Sequence, residues 1–172
     1  MDATAFLKEF LDTNLLIAPA YCKVIFPTAG FKQMGCLNGK FVHSWYNKYV
    51  WKSFDTQEDE YANYSQTDIA ESVSVITGII EQEAALLGGT EKVFVGGHSQ
   101  GCILTLATLF IYPGQLGGVI GLSAGNRTKV DFQSLDLAKK RLTPILIYLG
   151  ENDYIFNFEK TKCDLKQLFD SL

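Results

Sequence analysis

The chain has 172 residues, 47% of them hydrophobic and 20% charged, and 15 Lys and Arg against 19 Asp and Glu leave a net charge of -4. That is the composition of one globular domain, residues 1–172, large enough to bury a core. An acidic balance with a pI near 5.1 gives no basic footprint for nucleic acid and no polybasic segment for an anionic membrane.

The opening MDATAFLKEF has no long apolar run and does not read as a signal peptide. The greasiest stretch, Ile103 to Tyr112, is too short to span a bilayer. Cys22, Cys36, Cys102 and Cys163 are scattered with no CxxC pair. Reduced thiols in a cytoplasmic protein are therefore expected, with no metal and no cofactor.

Ala3, Phe6, Leu7, Phe10 and Leu11 recur at helical spacing behind Asp2 or Thr4, which predicts an opening amphipathic helix. Cys22 to Phe26 reads as a buried strand closed by Pro27. Residues 28 to 64 carry little periodicity but many turn formers, Gly30, Gly35, Asn38, Gly39, Asn47 and Asn63, and crowd Trp45, Tyr46, Tyr49, Trp51 and Phe54 together. So long a loop is expected to be functional or to cover a site; the same aromatics would serve equally as a docking surface. Asp55, Glu58, Asp59 and Glu60 form an acidic cluster ahead of a helix, where negative charge is favourable. That helix runs from Gln66 to Leu87, with Ile69, Val73, Ile76, Ile80 and Leu87 on one face, and ends at Gly88 and Gly89.

Lys92 to Val95 is a short strand that runs through GHSQG straight into a helix apolar nearly all round, Ile103 to Phe110. Strand, tight turn, helix is the context that gives a GxSxG match its mechanism. A nucleophile on such a turn has a strained backbone, and side chains at Gly97 or Gly101 would meet the neighbouring strand and helix. Negative charge beside Ser99 would be stabilised by the backbone N–H of Gln100 and by the helix N-terminus. A dinucleotide fingerprint is excluded because GxGxxG needs glycine where His98 stands.

Further strands are predicted at Gly118 to Ser123 and Pro144 to Leu149, with a weak helix around Asp131 to Arg141 between them and a closing helix marked by Thr161, Leu165, Leu168 and Leu172. Strands alternating with helices predict a parallel α/β sheet covered on both faces. Ser99, Ser123 and Asp153 then fall beyond the strands' C-terminal ends, where such sheets hold their functional groups. Asp153 follows the serine in the order a triad acid requires, although ENDY is also ordinary turn chemistry and Glu151 is a rival carboxylate.

From about Ala18 to Lys160 the chain resembles the acyl-protein thioesterase and carboxylesterase group of α/β-hydrolases, the phospholipase/carboxylesterase family. SWY at Ser44 to Tyr46 is similar to the family's segment over the site, DTQEDE at Asp55 to Glu60 to its D-x-Q-E-D stretch, and VGGHSQG to its elbow. GLS at Gly121 to Ser123 matches the following strand end, and LGENDYIF stands where a G-x-x-D segment bears the triad aspartate. The resemblance implies a serine hydrolase acting on carboxylic esters and thioesters, including acyl groups on protein cysteines or lysolipids. Ser99 and Asp153 would be catalytic, Gln100 an oxyanion donor, and Trp45 and Ser123 part of the substrate cover.

Two departures stand against it. The family's histidine after its last strand has no counterpart; only His43 and His98 are present, and neither is expected to act as the base. The family's first-strand H-G-x-G loop has none either. The resemblance therefore implies an α/β-hydrolase-like sheet lacking one edge strand and one central strand, the latter, by the family's strand order, between Cys22–Phe26 and Lys92–Val95. Unpaired backbone along that slot would cost about 1–3 kcal/mol per buried group, so a protein partner is expected to fill it. The alternative to an enzyme is thus a catalytically dead hydrolase-fold subunit with a structural or binding role.

Overall fold

The computed structural model describes residues 2–13, 20–52 and 56–172. Helix α1, Ala3–Asp12, forms as predicted, and Asp2 caps it by accepting from the Ala5 N–H at 2.8 Å. Cys22 to Phe26 is not the strand expected. It belongs to no ladder; Val24 and Ile25 stay 48% and 40% exposed, while Lys23 pairs with Glu83 at 2.5 Å. An apolar β-branched run becomes a strand only where a neighbour offers its N–H and C=O groups, and no described strand pairs with this one.

The supposed long loop contains structure that the sequence reading missed. Strands β1, Phe31–Met34, and β2, Lys40–His43, form an antiparallel hairpin with Phe31 opposite His43. Its turn uses Asn38 and Gly39 at φ 53° and 78°, the left-handed pair that an Asn-Gly step supplies at little steric cost. The acidic cluster is itself helical: α2, Gln57–Ala62, starts at Thr56, whose hydroxyl accepts from the Asp59 N–H at 3.1 Å. Asp55 and Phe54 lie outside the described residues.

Helix α3, Gln66–Leu87, buries Ile69, Val73, Ile76, Ile80 and Ala84 and ends on Gly88 at φ 77°. Leu87, in its last turn, is 45% exposed rather than part of that face. Strand β3, Phe94–His98, runs into α4, Gln100–Ile111. Then come β4, Gly118–Leu122, the short α5, Leu137–Arg141, β5, Ile145–Tyr148, and α6, Phe158–Asp170.

The three strands β3-β4-β5 are parallel, with Phe94 beside Gly118 and Ile120 beside Leu146. Every residue of α4 from Cys102 to Phe110 is buried, making it the central helix that its all-round apolarity predicts. Its two threonines do not disturb that interior: the Thr108 hydroxyl, for one, donates to the Leu104 carbonyl at 2.8 Å. One sheet face is turned to α4, so closely that a Cβ on Gly121 would lie 2.8 Å from the Cys102 sulfur. On the other face several large side chains are open to solvent. Phe94, Ile120, Leu146 and Tyr148, which alternate with the α4-facing residues, remain 66%, 40%, 60% and 65% exposed.

Candidate active site

The turn between β3 and α4 is fixed by a close approach of backbone to backbone. A Cβ on Gly97 would lie 2.2 Å from the carbonyl carbon of Gly101, so only glycine fits there. The expected steric need at Gly101 itself is absent, because a Cβ there would meet nothing within 4 Å. Gly101 is the surface approached; Gly97 is the residue that must lack a side chain.

Ser99 sits at φ 53° and ψ -110°, a left-handed backbone for a residue that rarely adopts it. Three bonds hold it there. Its N–H donates to the Leu122 carbonyl at 2.8 Å, and its own carbonyl accepts from the N–H groups of Cys102 and Ile103 at 3.0 and 3.2 Å. The Gln100 N–H, first of the helix, has no acceptor among the described residues. An open donor and a helix N-terminus therefore adjoin the serine, which suits an anion developing there.

Ser123, at the end of the neighbouring strand, repeats the strain with φ 55°, and its N–H donates to the Tyr148 carbonyl at 2.9 Å. Beyond the same strand ends lies a hollow of about 730 Å³, lined among others by His98, Ser99, Ser123, Glu151, Asp153 and Tyr154. The structure thus brings together the serine, the second strand-end serine and both rival carboxylates. The Asp153 side chain is already engaged: one oxygen accepts from the N–H groups of Ile155 and Phe156 at 2.8 and 3.0 Å. Turn former and hollow-lining acid are therefore both true of it.

Trp45 and His43 lie elsewhere. Trp45 does not line the hollow; its N–H donates to the Gln100 side chain at 2.9 Å, which holds it behind the elbow, half-buried. His43 is on the hairpin, its Nδ1 2.7 Å from the Ala29 carbonyl and its ring 4.0 Å from that of Phe31. His98 lines the hollow, and among the described residues no hydrogen bond orients its ring as a base. Among the described residues no three His, Cys, Asp or Glu side chains gather as a metal's ligands. Burial raises the Cys102 thiol to about 11, so this cysteine under the elbow stays protonated.

Sequence reasoning overlooked Arg127. Its guanidinium pairs with Glu60 at 2.9 Å, Glu60 also holds Lys160 at 3.1 Å, and the same guanidinium lies 5.3 Å from the Phe156 ring. Glu60, at the end of DTQEDE, is thereby tied through Arg127 to Phe156 in the loop that carries Asp153. The presence of that stretch was the available signal; a partner at position 127 was not readable from it.

With this geometry in view, comparison with known proteins is decisive. Residues 8–171 match the family model described as phospholipase/carboxylesterase. The chain belongs to that family. Acyl-protein thioesterase 1 of Kluyveromyces lactis is 30% identical over 167 residues, which cover 96% of this chain and 69% of that protein. Carboxylesterase SOBER1 of Arabidopsis thaliana is 36% identical over 140 residues, 78% of this chain and 57% of that relative. The crystal structure of SOBER1 superposes with a TM-score of 0.79 at 28% identity, covering 99% of this chain and 79% of the other. The chain thus has the α/β-hydrolase fold of the family, and it spans only part of its relatives' length. A probable inactive carboxylesterase of Oryza sativa subsp. japonica is also similar, 25% identical over 166 residues, 96% of this chain and 65% of that relative.

Proposed function

We propose that the chain carries the nucleophilic half of a serine hydrolase site acting on carboxylic esters or thioesters, among them acyl groups on protein cysteines or on lysolipids. Ser99 is the nucleophile, the Gln100 N–H receives the acyl oxygen, and Asp153 is the carboxylate that holds a base. The observation that carries the reading is the strained Ser99 backbone on a strand-to-helix turn, facing the hollow that Asp153 also lines. Strain of this kind costs about 1–3 kcal/mol and is retained where it presents a group for chemistry.

A serine hydroxyl needs an imidazole to take its proton, and loss of that base lowers turnover by about a millionfold. Neither His43 nor His98 takes the role in this reading, so full turnover depends on an imidazole beyond these two. The free thiols, Cys22 and Cys163 exposed among them, fit action in a reducing cytosol.

A second reading is favoured by the uncovered sheet. The outer edge of β3 has no partner strand among the described residues, and Phe94 beside it is 66% exposed. In that reading the domain is a binding or structural subunit whose protein partner supplies a strand to this edge. A fluorophosphonate probe separates the two. With imidazole added to stand in for the base, stoichiometric labelling that disappears in Ser99→Ala supports the hydrolase; no labelling at any pH, from protein with an intact near-UV spectrum, sinks it and leaves the subunit.

A further inference from the structure

The side chain of Gln100 is fully committed, although the elbow motif calls only on its backbone. Its Oε1 accepts from the Trp45 N–H at 2.9 Å, while its Nε2 donates to the Ser44 hydroxyl at 2.7 Å and to the Tyr46 carbonyl at 3.2 Å. The Ser44 hydroxyl in turn donates to the Tyr46 carbonyl at 2.7 Å. Ser44 and Tyr46 are each only 2% exposed, so these bonds lie out of water, where breaking one leaves an uncompensated group.

The turn itself does not move freely. The Ser72 hydroxyl of α3 donates to the Trp45 carbonyl, and the Asn47 N–H donates to Asp68 of the same helix at 2.8 Å. Gln100 is therefore gripped by a segment that is anchored to a second, 22-residue helix.

As the first residue of α4, Gln100 has no helical bond on its own N–H, and the peptide plane that carries this N–H is set by the ψ of -110° at Ser99. The Ser99 carbonyl of that same peptide accepts from the Cys102 and Ile103 N–H groups at 3.0 and 3.2 Å, which ties one end of the plane into the first turn of α4. The side chain secures the other end, by holding the Cα of residue 100 against the turn of residues 44–46.

We propose that Gln100 is a positioning residue: its side-chain amide, locked to Ser44, Trp45 and Tyr46, fixes the direction of its own backbone N–H beside Ser99. The inference rests on the hydrolase reading and adds a requirement to it. The grip needs one acceptor and two donor contacts on the same side chain. An amide provides both kinds; a carboxylate of the same shape provides acceptors only and would face the Tyr46 carbonyl with like charge. A protonated carboxyl group regains one donor, so the defect in Gln100→Glu is reversed by acid.

The test is the rate of fluorophosphonate labelling at Ser99, with imidazole added to stand in for the base, in Gln100→Glu and Ser44→Ala, each divided by the wild-type rate at the same pH and imidazole concentration. Misdirecting an oxyanion donor should slow Gln100→Glu by about tenfold or more near about pH 8, with the ratio climbing toward one near about pH 5. Ser44→Ala removes one of the two donor contacts and should be slowed less, with a ratio that does not vary with pH. Folded Gln100→Glu protein labelled at the wild-type rate, or with a ratio flat across pH, overturns the inference alone. If Gln100→Glu does not fold, Ser44→Ala decides, and wild-type labelling in it is equally fatal. Wild-type protein that does not label at all removes the hydrolase reading and this inference together, which is a different result from either.

Discussion

The two ends of α4 are finished in opposite ways. At its start the Gln100 N–H is left without an acceptor and the preceding residue is held in a strained conformation. At its end the Lys140 ammonium, 2% exposed, donates to the Tyr112 carbonyl and to the Gly114 carbonyl at 3.4 Å. Both ends border a core in which Leu106, Ala107 and Leu109 are wholly buried. A helix terminus leaves several backbone groups unpaired and the interior penalises each. The fold satisfies the carbonyl end with a buried cation at some cost in desolvation, and leaves the N–H end open where it meets the hollow. One end is built for stability and the other for a ligand.

Substitutions can break this contrast. The largest effect is expected from Gly97→Ala at the open end, since the new Cβ would lie 2.2 Å from backbone that cannot yield cheaply. A loss of about 3 kcal/mol or more in urea unfolding is expected; a loss below about 1 kcal/mol would mean that the elbow is looser than described.

At the closed end, burial lowers Lys140 from 10.5 to about 8. The unfolded chain then keeps its proton to higher pH than the folded one, so this group makes stability rise as pH climbs from about 8 toward 10.5. Lys140→Met should remove a rise on the order of 3 kcal/mol from the pH dependence, read as the difference between wild-type and variant unfolding curves. Parallel curves would show that the ammonium is not held as described.

The smallest effect is at Gly101, inside the same motif as Gly97. Alanine meets nothing there and belongs in a helix, so Gly101→Ala should gain about 0.5–1 kcal/mol in the same urea experiment. Two glycines four residues apart should thus respond with opposite signs.

What could be read from the sequence was whatever is local. The elbow declares itself because strand, glycine, serine and helix are contiguous, and α3 because its apolar residues repeat within a few turns. Cys22 to Phe26 misled because composition records a capacity for pairing, while pairing itself needs a second strand. The hairpin has a local signal in Asn38-Gly39, but that step stands among many other turn formers between residues 28 and 64. The link from Gln100 to Ser44 spans 56 positions and involves residue types that occur on any surface, so nothing in the chain order marks it. The union of Glu60 with Arg127 was hidden for the same reason.

The uncovered side of β3-β4-β5 also has a practical consequence. Dyes such as ANS brighten on contact with apolar surface, and their fluorescence is commonly taken as a sign of loosened tertiary structure. With Phe94, Leu146 and Tyr148 each 60% exposed or more, this domain should bind the dye while its near-UV circular dichroism is that of an ordered core. Thermal shift assays based on such dyes should start from a high baseline, and intrinsic tryptophan emission, from half-buried Trp45 together with exposed Trp51, is the cleaner reporter of unfolding.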